Sequence, residues 1–137
     1  MAVAAAGPAT NLVLALLGAI ALGALIRAHG TADPGAVALF VAHNLNNFLL
    51  INIFVALFNM LPIPPFDGSH VIEGLLPGRA ALAYERLRPW GFPLVLLLLI
   101  GLPMLIPGLN LVQRYLVPPV LWLSQQYYAL VRTVAGI

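Results

Sequence analysis

The stretch Asn59-Met60-Leu61-Pro62-Ile63-Pro64-Pro65-Phe66-Asp67-Gly68 places a carboxylate at the end of a long apolar run, at about the depth of a membrane. A charge there costs of order ~3 kcal/mol or more on insertion scales, so an intramembrane Asp marks a functional site by default. Pro62, Pro64 and Pro65 stop a helix just ahead of Asp67, and Gly68 permits a tight backbone approach after it. Broken backbone survives at membrane depth only where protein or a wet cavity surrounds it. His70 and Glu73, at i and i+3 just beyond the turn, would add nitrogen and oxygen donors, although as a pair they read first as local capping at a membrane interface. The plain alternative for the whole string is a proline-rich loop that happens to carry an acid.

The elements that must position Asp67 are membrane helices. Hydrophobic residues make up 62% of the 137 and charged residues 7%, with a mean hydropathy of +1.02. A soluble domain carries about 25% charged residues, so this composition calls for lipid as solvent. The net charge is +2 and the pI 9.5, but so few charges decide that balance that it gives no sign of nucleic acid as a partner. Without cysteine there are no disulfides and no thiolate metal ligands. The length fits a single transmembrane domain, residues 1–137.

Four apolar segments follow one another. The first runs from about Asn11 to Ile26, with Gly7-Pro8 read as a helix start in which Pro occupies the first turn. It lacks the basic n-region of a signal peptide. The second, Val37 to Leu61, is long enough to span with some tilt. The third, Phe92 to Ile106, is short for a span and is punctuated by Pro89, Pro93, Pro103 and Pro107, which predicts a kinked or partly re-entrant helix. The fourth starts near Leu109, carries Pro118-Pro119 and continues past Trp122, Tyr127 and Tyr128, aromatics suited to an interface, toward Arg132. No period-2 strand pattern competes. The expected fold is all-α: a polytopic membrane helical bundle of three to four transmembrane segments, with a proline-broken re-entrant turn at Pro62–Pro65 and a new short helix over Gly68–Leu76.

The second segment is polar for its hydrophobicity, carrying His43, Asn44, Asn46, Asn47, Asn52 and Asn59. Asn52 and Asn59 fall about 20° apart on one helical face, leading down to Asp67, while His43, Asn46 and Asn47 spread over the other half. For any one of these Asn residues the default role is bonding between helices. Arg79, Arg86 and Arg88 share a side, with Arg132 joining them if the fourth segment crosses, against Arg27 and Arg114. That balance puts the Pro77–Trp90 loop in the cytoplasm.

Two motifs in this chain carry a family resemblance. Ala6-Gly7-Pro8-Ala9-Thr10-Asn11, followed by an apolar helix, resembles the A-G-P-x-x-N element of the site-2 proteases, which are intramembrane zinc metalloproteases. Asn52 through Gly68 is similar to that family's second signature, and Ser69, the Leu76-Pro77 stop and the Tyr84–Gly91 stretch resemble its compact bacterial branch. The resemblance covers most of the chain. It implies cleavage of membrane-protein substrates in a bacterial cell membrane, zinc as cofactor, Asp67 as metal ligand and Asn59 as a catalytic group that positions substrate or stabilises an oxyanion. It further implies substrate-binding or structural roles for Asn11, Asn52, Pro62, Pro64 and Gly68. In such enzymes zinc lowers the pKa of its water to about 7, a glutamate takes the proton, and amide donors stabilise the tetrahedral oxyanion.

One part of the pattern is missing. The resemblance implies two histidines from an H-E-x-x-H helix upstream of the A-G-P element, and no H-E-x-x-H occurs in these 137 residues. The expectation is a truncated C-terminal portion holding one zinc ligand and no general base, inactive by itself. The alternatives are a non-catalytic binding module, holding transmembrane clients in a groove along Asn52–Asn59, and a small channel or transporter subunit that uses the broken helix as a site.

Overall fold

The computed structural model describes residues 2–30, 32–106 and 108–137, with side chains from residue 5 onward. Among the described residues there is helix and turn and no strand. Seven α-helices follow one another: α1 (Ala2–His29), α2 (Gly35–Asn59), α3 (Asp67–Leu75), α4 (Gly78–Glu85), α5 (Gly91–Leu96), α6 (Leu102–Leu105) and α7 (Val117–Ala135). A 3-10 turn at Arg88–Trp90 joins α4 to α5, and π turns at Leu97–Gly101 and Val112–Leu116 precede α6 and α7.

Among the described residues three stretches are long and apolar enough to cross a membrane: Ala5–His29, Gly35–Asn59 and Gly78–Leu105. The last begins well before the sequence-based start at Phe92, because α4, the 3-10 turn and α5 run on with little break. The chain is a helical membrane protein.

The core forms where small residues let helices close on one another. On α1 the buried residues Ala15, Gly18, Ala19, Leu22 and Gly23 recur at helical spacing and make a shallow stripe. A Cβ on Gly18 would lie 3.0 Å from the Phe48 ring of α2, and one on Gly23 would lie 2.7 Å from the Val131 carbonyl of α7. Facing that stripe, α2 presents Leu49, Asn52, Ile53 and Ala56, and α7 presents Ser124, Val131 and Ala135. Val13, Leu17, Phe40 and Ile51 point outward, as lipid-facing side chains do.

The α1–α2 hairpin turns through Gly30 and Gly35, both at positive φ, with the Gly35 N–H donating to Asp33 Oδ1 at 3.1 Å. This makes α2 antiparallel to α1. Helix α7 is parallel to α1: the Tyr127 hydroxyl donates to the Leu12 carbonyl at 3.0 Å, and Gly23 further along meets Val131 and Val134. The end of α2 and the start of α7 therefore lie at the same end of the bundle. Arg132, which would join the Pro77–Trp90 side if the fourth segment crossed, lies at the Ile26 end, lining a surface pocket with that residue. Tyr127, Tyr128 and the Gly23 contact hold α7 in that direction.

The prolines account for the irregular helices. A proline at position i removes one hydrogen bond and crowds the carbonyl of i−4. For Pro103 that carbonyl belongs to Leu99, and for Pro118 and Pro119 to Arg114 and Tyr115. All three lie inside the π turns, whose wider backbone relieves the crowding. Pro8 differs from expectation. It stands inside α1, which begins at Ala2 rather than at Gly7-Pro8. The bond it forfeits is to Ala4, near the helix end, where one lost bond disturbs little.

Candidate functional site

Helix α2 ends at Asn59, and the chain then turns with few bonds of its own because Pro62, Pro64 and Pro65 have no N–H. The Leu61 N–H donates to Phe58 at 3.1 Å and the Phe66 N–H to Ile63 at 3.0 Å. The Phe66 ring meets Phe58 edge-on with centroids 4.5 Å apart, which folds the turn back onto α2. Asp67 then opens α3, and Ser69 caps the bend by donating from Oγ to the Phe66 carbonyl at 2.7 Å. A negative charge in that first turn gains about 0.3–1 kcal/mol from the helix macrodipole.

Two glycines let this turn close. A Cβ on Gly68 would strike the Met60 carbonyl and come within 2.6 Å of the Leu61 carbonyl, so only glycine lets α3 start so near the end of α2. A Cβ on Gly7 would collide with Oδ2 of Asp67 and lie 3.5 Å from its Cγ. The glycine of the first motif thus rests on the carboxylate of the second. Asn11, half-buried, lies one turn beyond Gly7 on the same face of α1.

The asparagines of α2 divide in their roles. Asn59 is half-buried, and among the described residues its carboxamide makes no hydrogen bond. Asn52 is only 8% exposed and donates to the Phe48 carbonyl of its own helix at 2.8 Å. Buried and bonded in this way, Asn52 does not open onto the groove along Asn52–Asn59 that the binding-module alternative calls for. Asn46 accepts from the Tyr128 hydroxyl at 2.6 Å and binds α2 to α7. Asn44 and His43 bond back to Phe40 and Leu39, and Asn47 is exposed.

The open space lies elsewhere. A groove of about 470 Å³ runs beside the turn between α1 and α3, lined by Ala5, Pro8, Leu12, Met60, Gly68 and Ile72 among others. Every residue lining it is apolar. Pro62 borders this groove, and its carbonyl accepts the Tyr84 hydroxyl at 2.7 Å, while Pro64 is buried.

The His70–Glu73 pair has a third member that its spacing did not reveal. Arg88 Nη2 donates to Glu73 Oε2 at 2.6 Å and lies 3.3 Å from His70 Nδ1, with His70 and Glu73 themselves 3.6 Å apart. A guanidinium set between them uses these groups as its own acceptors and makes them poor cation ligands. Among the described residues no three His, Cys, Asp or Glu side chains gather as a metal site would require. A catalytic zinc takes three protein ligands, a set that the described residues do not bring together.

Sequence reasoning singled out Asp67, Asn59 and Gly68 but missed Gly7 as a neighbour of the carboxylate, and although it noted Arg88 for its charge and Tyr84–Gly91 for their resemblance, it missed the contacts that Tyr84, Arg88 and Gly91 make with the turn. Gly7 was visible only as a motif letter and part of a helix start. The other three stand at i, i+4 and i+7, but nothing in the sequence says that their segment folds back over the turn.

No family model and no solved structure matches the chain. Curated relatives do, and three of them carry the name "putative zinc metalloprotease". The chain is 33% identical to YwhC of Bacillus subtilis over 79% of its length, covering 50% of that protein. To Rip2 of Mycolicibacterium smegmatis it is 37% identical over 79% of its length, covering 37% of that protein. To MJ0611 of Methanocaldococcus jannaschii it is 41% identical over 52% of its length, covering 32%. The chain thus spans half the length of the first relative and about a third of the other two. These relatives agree with the resemblance carried by the two motifs: the chain is homologous to part of proteins named as zinc metalloproteases, in keeping with the site-2 protease reading.

Proposed function

We propose that this chain is the aspartate-bearing part of an intramembrane zinc metalloprotease acting on membrane-protein substrates. In this reading Asp67 is one metal ligand and Asn59 a donor near the reacting carbonyl. It lies in a bacterial cell membrane with the Pro77–Trp90 loop in the cytoplasm. The observation that carries the reading is the meeting of Gly7 with Asp67. Two motifs far apart in sequence converge on one carboxylate, and packing alone gives no reason for a charge at that meeting point. The remaining ligands and the proton acceptor would come from a histidine-bearing segment outside these 137 residues.

The genomic DNA ahead of Met1 tests this first. An in-frame H-E-x-x-H running into Met1 supports the peptidase, whereas a stop codon followed by a ribosome-binding site speaks against it. Protein made from the longer frame should cleave a transmembrane reporter in vesicles, and Asp67→Ala should abolish cleavage.

One observation favours a second reading, a non-catalytic module that holds transmembrane clients. The apolar groove between α1 and α3 needs no metal in order to receive an apolar segment. Reporter binding that survives Asp67→Ala, with no cleavage by the longer protein, would favour it.

A further inference from the structure

The turn carrying Asp67 is poor in its own hydrogen bonds, yet one neighbouring segment touches it at successive points. The Tyr84 hydroxyl donates to the Pro62 carbonyl at 2.7 Å. Four residues on, Arg88 reaches Glu73 at 2.6 Å and His70 at 3.3 Å, both on α3. Three residues further, Gly91 is buried with its backbone on the Pro64 carbonyl, and a Cβ there would also lie 2.8 Å from the Pro64 side chain. The linking residues Arg86, Leu87 and Trp90 all keep right-handed helical dihedrals, so Tyr84, Arg88 and Gly91 come to face one way.

We infer that Tyr84, Arg88 and Gly91 form a clamp that positions the Asp67 turn. Each member does a separate job. Tyr84 gives the proline-rich turn a donor that its own backbone lacks. Arg88, by bonding two residues of α3 at once, fixes the rotation of that helix about its axis and with it the direction of the carboxylate at its first residue. Gly91 lets the clamp approach close enough for both. The three are positioning residues, since among the described residues none of them bonds to Asp67. Most of the neighbouring surface contributes nothing comparable: Arg86, two residues before Arg88, is exposed and bonds to none of these groups among the described residues.

The functional consequence rests on the peptidase reading, but the clamp itself can be tested without it. The 137-residue chain in lipid nanodiscs is followed by hydrogen exchange at the amides of Phe66 and Ser69, both bonded within the turn at 3.0 Å. Tyr84→Phe and Arg88→Gln should each speed exchange at these two amides by about tenfold, the scale of one lost hydrogen bond, and leave α1, α2 and α7 unchanged. Arg88→Lys, which keeps a cation for Glu73, should recover part of the protection, and Arg86→Gln should match the parent. Gly91→Ala should speed exchange as well. Unchanged exchange at Phe66 and Ser69 in the Tyr84 and Arg88 variants overturns the clamp. So does an equal rise across every helix, which would mean general loosening. In a longer, cleaving form, Tyr84→Phe should lower kcat by about 10- to 100-fold with KM little changed. A parent that never cleaves counts against the peptidase reading and leaves the exchange result to decide the clamp.

Discussion

Gly7 and Asp67 are in contact: the first turns of α1 pass so close to the carboxylate that a methyl group on Gly7 would take the place of Oδ2. The contact gives the glycine a physical reason that the motif alone did not. Glycine at this point of a helix costs about 1 kcal/mol relative to alanine, and here the missing Cβ is the space in which the carboxylate lies.

Replacing Gly7 should therefore move Asp67 before it disturbs the fold. Gly7→Ala improves the intrinsic helix propensity of α1, so thermal stability should hold or rise slightly. In a histidine-bearing, cleaving form of the protein, activity should fall by about 100-fold, the effect of a displacement near 1 Å at a reacting centre. Melting and cleavage measured on the same preparation separate the two. Parallel losses in both would mean that Gly7 serves packing and not the carboxylate.

The α1–α7 contact makes an independent prediction about stability. Gly23 has no room for a side chain, since the obstruction is the Val131 backbone carbonyl, which cannot swing aside as a flexible side chain would. Gly23→Val should lower stability toward unfolding in detergent by about 1–3 kcal/mol, the usual cost of overpacking. Gly108, which has open space around the site of a Cβ but a φ of +95°, is no fair control; Gly78, with open space and no such restriction, is. Gly78→Ala should leave unfolding unchanged.

Between α2 and α7 the bond from Tyr128 to Asn46 is the one side-chain hydrogen bond among the described residues. A double-mutant cycle with Tyr128→Phe and Asn46→Ala should give a coupling of about 0.6 kcal/mol, with about 1.7 as the upper bound seen for such bonds in a membrane protein. A coupling indistinguishable from zero would show that α7 is held by its packing and by the Tyr127 bond to α1 without help from Asn46.

Metal binding follows from the donor set. The 137-residue chain offers zinc one carboxylate at the turn, with His70 and Glu73 engaged by Arg88. Equilibrium dialysis in detergent should therefore find weak binding, since the other tetrahedral positions have no protein donor. Stoichiometric binding at micromolar affinity that Asp67→Ala removes would show that a further ligand exists, and His70→Ala would be the next variant to measure.

The sequence made the large features legible because they rest on local chemistry. Apolar length announces a membrane helix, and Pro62, Pro64 and Pro65 announce its end, so α2, the broken turn and the short α3 were all readable. The irregular turn in the third segment was readable for the same reason, from Pro103, whose crowded Leu99 carbonyl lies in the π turn. Tertiary placement was not readable. Asn52 and Asn59 share a helical face by angle, yet Asn52 is covered by the bundle and bonded to its own helix, because which side of α2 is covered depends on where α1 and α7 pack. His70 and Glu73 were a pair by spacing, but Arg88 joins them from a segment whose return over the turn no local pattern encodes. The direction of α7 was hidden likewise, since Pro118-Pro119 and the tyrosines are compatible with either end of the bundle.

The polar residues in and just beyond α2 allow a direct comparison in a cleaving form of the protein. Asp67→Ala removes the one carboxylate at the turn, and cleavage should be abolished together with zinc binding. Asn59→Ala removes a carboxamide that makes no bond within the described chain, so the fold and zinc content should survive. If that group donates to the developing oxyanion, turnover should fall by about 100- to 1000-fold. Asn47 lies on the other half of α2 and is exposed, away from α1 and the turn, and Asn47→Ala should cleave like the parent. The three substitutions each delete one polar group within or just beyond the same helix, so general damage to α2 would affect Asn47→Ala and Asn59→Ala alike. Equal losses in those two, with the fold intact, would remove Asn59 from the site. Full activity in Asp67→Ala would end the metalloprotease reading, because no other acid in the described chain lies against Gly7.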